Sequence, residues 1–282
     1  MSRIKYRSAE VLERRRRFAK RMTIIFVVSF ILVSTGIIFL LRMESIQIRK
    51  VNIEGTNIIN KEEVQNIVDE SLSGNYLWLI PKSNTFLYSV KKLNKILVDK
   101  FPGISSLDVG RENLQKIYIK IVERKPQTLW CRGGEGENVP DCYFVDSTGV
   151  VFASAPFFSG NVYFIYRGGL NKEDPLGAQI FSREDFLAFE DFIKQINNKF
   201  KISIVGVELK DQEDFDLLLS SGTRIMLNKN TPYNDMYDNL DAILKDTQFS
   251  SSTLPTLDYI DMRFGNKVYY KAKTATVKTT AQ

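Results

Sequence analysis

The sequence predicts an α+β protein in which a single transmembrane helix is followed by two regions rich in β-strands. Three observations support this class: a long uncharged apolar run near the N-terminus, a strand-helix-helix-strand-strand region, and a later region in which strands outnumber helices. The predicted boundaries are a basic tail at 1–22, a transmembrane helix at 23–42, a first domain at 46–126, a strand-rich domain at 127–271 and a disordered tail at 272–282.

The positive charge of the chain is concentrated at its N-terminus. Residues 1–22 hold nine of the 39 Lys and Arg residues against two Glu, which gives this segment a net charge of +7. The remaining residues carry 30 basic and 31 acidic side chains, a net charge of −1. A nearly neutral body lacks the basic surface that binds a phosphate backbone, so we expect no nucleic-acid partner.

The apolar run at residues 23–41 is predicted to cross a membrane. It contains 19 residues without a charge or a proline, and at 1.5 Å per residue it spans about 28 Å, close to the thickness of a hydrocarbon core. It leads into Arg42-Met43-Glu44 without a small-residue cleavage pattern, which favours an uncleaved anchor over a signal peptide.

The basic tail sets the predicted orientation. Because Lys and Arg concentrate on the cytoplasmic side, the N-terminus is expected inside and the C-terminal domain outside the cytoplasmic membrane, a single-pass type II arrangement. The same residues are expected to attract anionic lipid.

The first region after the anchor reads as β-α-α-β-β. A strand is predicted at 46–54, followed by a helix capped by Asn60, with Glu63 three residues later. A second helix is predicted at 89–100, and two strands at 104–109 and 114–123. In the last strand, alternation predicts three inward side chains: Ile117, Ile119 and Ile121.

The second region is dominated by strands, with two helices. One helix is predicted to start at Ser182, and the other has Pro232 at its first position. The strands are predicted at 127–131, 143–152 with a turn at 146–149, 162–166, from 202, 215–219, 224–227, 259–264 and 267–271.

The chain contains no histidine, which excludes Ser-His-Asp and Cys-His nucleophiles and every His-ligated metal site. Two cysteines without histidine cannot form a closed four-ligand zinc site. We therefore expect no catalytic, metal or cofactor site and no small-molecule substrate.

Three motifs imitate catalytic or binding patterns. The string at 89–92 matches S-x-x-K, but its companion motifs are missing and a serine is a natural helix cap. The acidic group Asp211, Glu213, Asp214 and Asp216 could mimic a glycosidase pair, but a solvated loop explains it better. The glycines at 133–136 open no helix and so fail as a phosphate-binding loop.

The two cysteines, Cys131 and Cys142, lie at the edges of predicted strands on the side of the membrane where thiols oxidise. We predict a disulfide between them, and two unpaired cysteines are the alternative.

Several strings in order resemble the bacterial FtsQ/DivIB family of cell division proteins. Residues 48–123 resemble that family's POTRA domain through VNIEGTNIINKEEV, NYLWLI and FPGISSLDVGRENLQKIYIKIVERKP. IVERKPQTLW, running into FVDSTGVVF, resembles the junction with the family's β domain, and LDYIDMRFGNKVYYK resembles its closing strands. The cysteine pair is not part of the family pattern.

The resemblance implies a non-enzymatic scaffold at the division septum that binds FtsB- and FtsL-type bitopic proteins. It also implies that an FtsB-type strand pairs with the closing strands, at Arg263, Phe264, Gly265, Asn266, Lys267, Val268, Tyr269 and Tyr270. One of the two adjacent tyrosines is expected to face the core, because side chains alternate along a strand. The alternatives are a membrane-anchored enzyme of cell-wall remodelling and a POTRA-bearing secretion or assembly component.

Overall fold

The computed structural model describes residues 9–133, 141–170, 172–210, 213–246, 249, 252–265 and 267–273, with side chains from residue 13 onward. The chain divides into two compact units, one formed by Met1–Lys100 with Ser106–Val122 and the other by Phe101–Ser105 with Glu123–Gln282.

The first helix, α1 (Ala9–Leu41), includes the predicted apolar run. Its segment Glu13–Leu41 is long and apolar enough to cross a membrane, and its side chains are not buried by the protein. The helix starts well before the apolar run, because the arginines that precede the run are good helix formers and Arg17 pairs with Glu13 one turn away at 3.2 Å.

A mixed region follows α1. Its elements are β1 (Lys50–Glu54), α2 (Lys61–Leu72), β2 (Asn75–Tyr76), β3 (Ile80–Pro81), α3 (Val90–Lys100), β4 (Ile104–Asn113) and β5 (Lys116–Glu123). The three long strands form a sheet in the order β1-β5-β4, with β1 and β5 parallel. The predicted β-α-α-β-β order is confirmed, with the small hairpin β2–β3 inserted between the helices.

Local signals fix the helix starts in this region. Asn60 Oδ1 accepts a hydrogen bond from the Glu62 amide at 2.8 Å, which confirms the predicted cap of α2. Ser89 Oγ accepts one from the Lys92 amide at 3.3 Å, so the serine of the S-x-x-K string caps α3.

The first strand is shorter than predicted, because Glu44–Ile46 form a 3-10 turn after the anchor. Inward packing of the β5 isoleucines is confirmed, since Ile117, Ile119 and Ile121 are buried.

The second unit contains one large sheet and two helices. Its elements are β6 (Thr128–Cys131), β7 (Cys142–Val145), β8 (Val151–Ser154), β9 (Ile165–Gly168), α4 (Arg183–Phe200), β10 (Ile204–Leu209), β11 (Asp214–Leu219), β12 (Arg224–Asn228), α5 (Tyr233–Leu244), β13 (Leu257–Phe264) and β14 (Lys267–Ala272). The nine strands lie in the order β14-β13-β12-β11-β10-β9-β6-β7-β8.

The core of this unit lies between the helices and one face of the sheet. Tyr166 is fully buried on β9, with its ring centroid 5.5 Å from that of Phe186 and its hydroxyl donating to Glu190 Oε1 at 2.7 Å. Trp130 on β6 is buried beside it and donates from its indole nitrogen to the Gly168 carbonyl at 2.8 Å. The buried aromatic side chains of α4 therefore fix the helix against the centre of the sheet.

Two boundaries inside the second unit differ from the prediction. The strand expected at 162–166 is shifted to β9, where it pairs in parallel with both β6 and β10. Pro232 is the N-cap of α5 instead of its first helical residue.

The C-terminal tail was predicted to begin too early. Ala272 pairs with Leu257, and the Lys273 ammonium group donates to the Ser221 carbonyl at 2.7 Å and the Pro255 carbonyl at 3.0 Å. These contacts hold residues 272 and 273 to the sheet, and the rest of the predicted tail lies outside the described residues.

Candidate partner-binding edge

The eight residues predicted to bind a partner belong to the last hairpin, β13–β14. The two strands are antiparallel, with Ile260 opposite Tyr270 and Asp261 opposite Tyr269. Gly265 turns the chain with φ of +64°, a conformation that favours glycine, and open space surrounds the position where a Cβ would lie. Asn266, which completes the predicted turn, lies outside the described residues.

The hairpin places β14 at one end of the nine-stranded sheet. Within the described part of the chain, β14 pairs with β13 alone, so its other side is an open edge. Such an edge presents main-chain N–H and C=O groups that another extended segment can pair with.

The two adjacent tyrosines lie on opposite faces of the sheet but are equally exposed. Tyr270 is opposite the fully buried Ile260, and its ring contacts that of Phe249 edge-on at 5.1 Å. Tyr269 lies on the other face, where its ring meets that of Phe264 edge-on at 5.6 Å. The exposed fractions are 52% for Tyr270 and 51% for Tyr269, because a side chain on the last strand has a neighbouring strand on one side only.

The side chain of Arg263 is committed to contacts within its own unit. Its guanidinium donates from Nε to Asp261 Oδ1 at 2.9 Å, from Nη2 to Asp261 Oδ2 at 2.7 Å and from Nη1 to Asp214 Oδ2 at 2.7 Å. It also lies 5.6 Å from the centre of the Phe264 ring. These contacts hold the end of β13 against β11 and leave Arg263 fewer groups for a partner.

The ion pairs shift the pKa values of both partners. The hydrogen bonds from Arg263 lower the pKa of the buried Asp261 carboxyl, although burial acts in the opposite direction. Asp261 and Asp214 in turn raise the pKa of Arg263. Asp261 and Arg263 are therefore both charged at neutral pH, and their ion pair stabilises the end of β13.

The remaining predicted residues differ in exposure. Lys267 is exposed at the start of β14, and Phe264 is 57% exposed at the end of β13. Val268 is partly buried and packs against the core of the second unit. On the face of the hairpin that carries Tyr269, the exposed apolar surface thus consists mainly of Phe264 and Tyr269.

The acidic group near this hairpin is not the solvated loop that we expected. Asp216 is 3% exposed in the middle of β11, and its burial raises the pKa of its carboxyl, partly offset by Lys210, whose ammonium nitrogen lies 3.6 Å away. Asp214 Oδ1 accepts a hydrogen bond from Asn228 Nδ2 at 2.9 Å, and Asp214 Oδ2 accepts one from Arg263 Nη1. Glu213 alone is exposed, and Asp211 lies outside the described residues. Lys210, just after β10, and Arg263, on β13, supply the ion pairs that make this burial possible.

The two cysteines lie near the opposite end of the sheet. Cys131 on β6 is directly opposite Cys142 on β7, and a disulfide joins them with an Sγ–Sγ distance of 2.01 Å. Residues 134–140 between the two cysteines lie outside the described residues, as does most of the glycine motif at 133–136.

Sequence reasoning missed two residues that support the hairpin. Asp214 is 49 residues from Arg263, and Phe249 is separated from Tyr270 by the whole of β13. The acidic character of Asp214 was visible, but the strand pairing that brings it to Arg263 was not.

Comparison with known proteins gives two matches. Residues 129–263 match the family described as Cell division protein FtsQ/DivIB, C-terminal. The chain is also 26% identical over 192 residues to the Cell division protein FtsQ of Bartonella bacilliformis, which covers 61% of this chain and 54% of the relative. The match therefore spans about half the length of the relative. The cysteine-bonded strands, the buried aromatic core and most of β13 lie inside the family match, whereas β14 follows it.

Proposed function

Residues 129–263 belong to the FtsQ/DivIB C-terminal family, and from this premise we propose that the protein is a membrane-anchored, non-enzymatic scaffold of bacterial cell division. Its proposed role is to link division proteins on the two sides of the cytoplasmic membrane by binding FtsB- and FtsL-type partners at the septum. The region 46–126 is its proposed POTRA domain.

The observation that carries the partner proposal is the open edge of β14. A partner segment in extended conformation can add a tenth strand there, because the main-chain groups on this side have no strand beside them in the described structure. Main-chain hydrogen bonds would supply affinity, and the alternating side chains of β14 would supply specificity.

The side chains beside this edge fit a partner strand with an apolar and an acidic position. Tyr269 and Phe264 form an exposed aromatic pair on one face, and large aromatic side chains bring contact area at low entropy cost. Lys267 adds an exposed positive charge at the start of the same strand, suited to steering an acidic segment.

The geometry divides the proposed site into contact and support residues. Phe264, Lys267, Tyr269 and the edge of β14 are proposed to touch the partner. Arg263 is proposed to act as a positioning residue, because its guanidinium is bound to Asp261 and Asp214. Tyr270 is proposed to make contact through its exposed half while its ring packs against Phe249.

A binding assay with a purified FtsB-type outer segment tests this site. The Tyr269→Glu variant should lose binding by at least about tenfold, since a carboxylate would replace an aromatic contact, while its melting temperature stays within a few degrees of wild type. The matched control is Phe157→Glu, an exposed aromatic position in the segment that follows β8 at the other end of the sheet, which should bind normally.

Two results would reject the site. The first is equal loss of stability and binding in Tyr269→Glu, which would make this tyrosine a core residue. The second is unchanged binding after deletion of residues 264–271 from a chain that still folds.

The septal role is tested by imaging. A fluorescent fusion in dividing cells should form a ring at midcell. Uniform membrane fluorescence would instead favour secretion or general cell-wall chemistry, the two alternatives that the sequence left open.

A further inference from the structure

The hairpin β2–β3 has an unusual turn. The Leu79 amide donates to the Tyr76 carbonyl at 3.0 Å, and the two residues between them, Leu77 and Trp78, have φ of 45° and 62°. A hairpin turn with two left-handed residues normally carries Asn-Gly or Asp-Gly. A bulky side chain is strained in this conformation, so the local sequence works against the turn.

The same two side chains are almost fully exposed. Leu77 and Trp78 are each 90% exposed, more than any other large apolar residue in the described structure. Two adjacent large apolar side chains at a strained tip are unfavourable in water, which indicates an apolar environment that the isolated chain does not supply.

The hairpin is bound to the C-terminal end of α1. Arg42, the first residue after the apolar run, donates from Nε to the Leu79 carbonyl at 2.7 Å and from Nη2 to the Trp78 carbonyl at 3.4 Å. The hairpin tip therefore lies close to the end of α1, at a distance that one arginine side chain can bridge.

A buried asparagine adds a second attachment. Asn84, which follows β3, is fully buried, donates to the Leu41 carbonyl at 2.8 Å and accepts from the Phe86 amide at 2.9 Å. The Ile48 amide also donates to the Ser83 carbonyl at 2.8 Å. The base of the hairpin is thus fixed to the last turn of α1 and to the segment that leaves it.

We propose that Leu77 and Trp78 insert into the headgroup layer of the membrane leaflet from which the C-terminal end of α1 emerges. This inference rests on the membrane anchoring in the proposed function. The headgroup layer is about 5 to 8 Å thick on each side of the hydrocarbon core, and Arg42 marks the boundary of the core. Tryptophan concentrates in this layer, where its ring is in contact with lipid and its N–H stays hydrated.

The chemistry of the tip favours lipid over a protein partner. The carbonyls of Trp78 and Leu79 are satisfied by Arg42, and the two residues at the tip carry no charge. The tip is also hydrogen-bonded to Arg42, the residue that directly follows α1, and α1 is the only helix of the described chain that is long and apolar enough to cross a membrane. A hairpin held at this depth would restrict rotation of the first unit about the anchor.

The test uses tryptophan fluorescence of the full-length protein in phosphatidylcholine vesicles. The chain has two tryptophans, and Trp130 is buried, so the difference between wild type and Trp78→Phe reports the emission of Trp78. We expect this emission to be blue-shifted, protected from aqueous iodide and strongly quenched by lipids brominated on the upper part of the acyl chain.

The matched control places a tryptophan at Ile58 in the Trp78→Phe background. Ile58 is 80% exposed in the same unit. It comes after β1, a strand of five residues whose C-terminal end lies about 13 Å from its N-terminal end. The start of β1 is near the anchor, since Gln115, next to its partner strand, donates to the Glu44 carbonyl at 3.1 Å. Emission from position 58 should be quenched by iodide and not by brominated lipid.

The outcomes separate lipid insertion from its alternatives. Quenching of Trp78 by iodide with no quenching by brominated lipid would overturn the proposal. Protection that occurs only in native membranes and not in pure lipid would assign the tip to a protein partner, which also overturns it. Flotation of the vesicles reports anchoring separately: protein that fails to float refutes the membrane anchor itself.

Discussion

Arg263 Nη1 lies 2.7 Å from Asp214 Oδ2, and this ion pair joins the end of β13 to the start of β11 across β12. Asn228 on the intervening β12 donates to the other oxygen of Asp214 at 2.9 Å. Three neighbouring strands are therefore connected by side chains at the end of the sheet from which the last hairpin turns back.

The first prediction concerns the stability that this connection provides. Arg263→Met should lower the free energy of unfolding by about 1 to 3 kcal/mol, because Asp261 loses its charged donor in a buried position. Urea denaturation of the full-length protein in detergent would measure this change. Lys267→Ala, at an exposed position of the same hairpin, is the control and should change the stability by less than about 0.5 kcal/mol. Equal stability of the two variants would contradict a supporting role for Arg263.

The second prediction is a loss of stability in acid. Because the pKa of Asp261 is lower in the folded state than in the unfolded chain, its ionised form stabilises the fold above about pH 4, and this contribution disappears as the pH falls through the folded pKa. The buried Asp146 also contributes stability that is lost in acid, because its pKa is lowered in the folded state. Burial alone would raise this pKa, but hydrogen bonds from Val150, Thr148 and Arg124 outweigh that effect.

Urea midpoints measured across the acid range would check this dependence. Asp261→Asn should be less stable at neutral pH and should lose less stability on acidification than wild type. Asp238→Asn, at an exposed position on α5, should follow the wild-type curve. A variant at Asp261 with the full wild-type acid dependence would show that this carboxyl is not responsible.

The third prediction concerns the bond between Cys131 and Cys142. Free-thiol labelling of the unreduced, denatured protein should detect no thiols, and two labelled cysteines would reject the bridge. Replacement of both cysteines by alanine should cost at most about 3 kcal/mol, because the closed loop is short. The variant should therefore still fold, and its binding at the distant β14 should persist.

The fourth prediction is the orientation in the membrane. A phosphatase that is active only outside the cytoplasm should be active when fused behind Lys273, since the basic residues before the apolar run keep the N-terminus inside. The same phosphatase fused to the N-terminus is the control and should be inactive. The reverse pattern of activities would show that the orientation is wrong.

The elements that the sequence predicted well are those set by short-range physics. Asn60 and Ser182 cap α2 and α4 because their side chains reach amide groups two or three residues away, at 2.8 and 3.1 Å. The apolar run predicted the core of α1, because a membrane-spanning helix depends on length and composition alone. The last hairpin was also predicted, since a turn containing glycine connects two alternating segments.

The properties of the candidate site required the tertiary structure. Alternation along β14 placed its two tyrosines on opposite faces, but only the order of the nine strands puts β14 at an edge and leaves both tyrosines half exposed. The sequence likewise could not pair Arg263 with Asp214, because strand neighbours are chosen by packing over long sequence separations.

The sequence by itself determined the anchor, the two mixed regions, the lack of histidine chemistry and the order of most elements. The tertiary structure decided which strand is open, which charges are buried and where Leu77 and Trp78 are held. The physical reason is that helix caps and hydrophobic periods act within a few residues of the chain, whereas an open edge or an exposed apolar tip is defined by what the rest of the fold leaves uncovered.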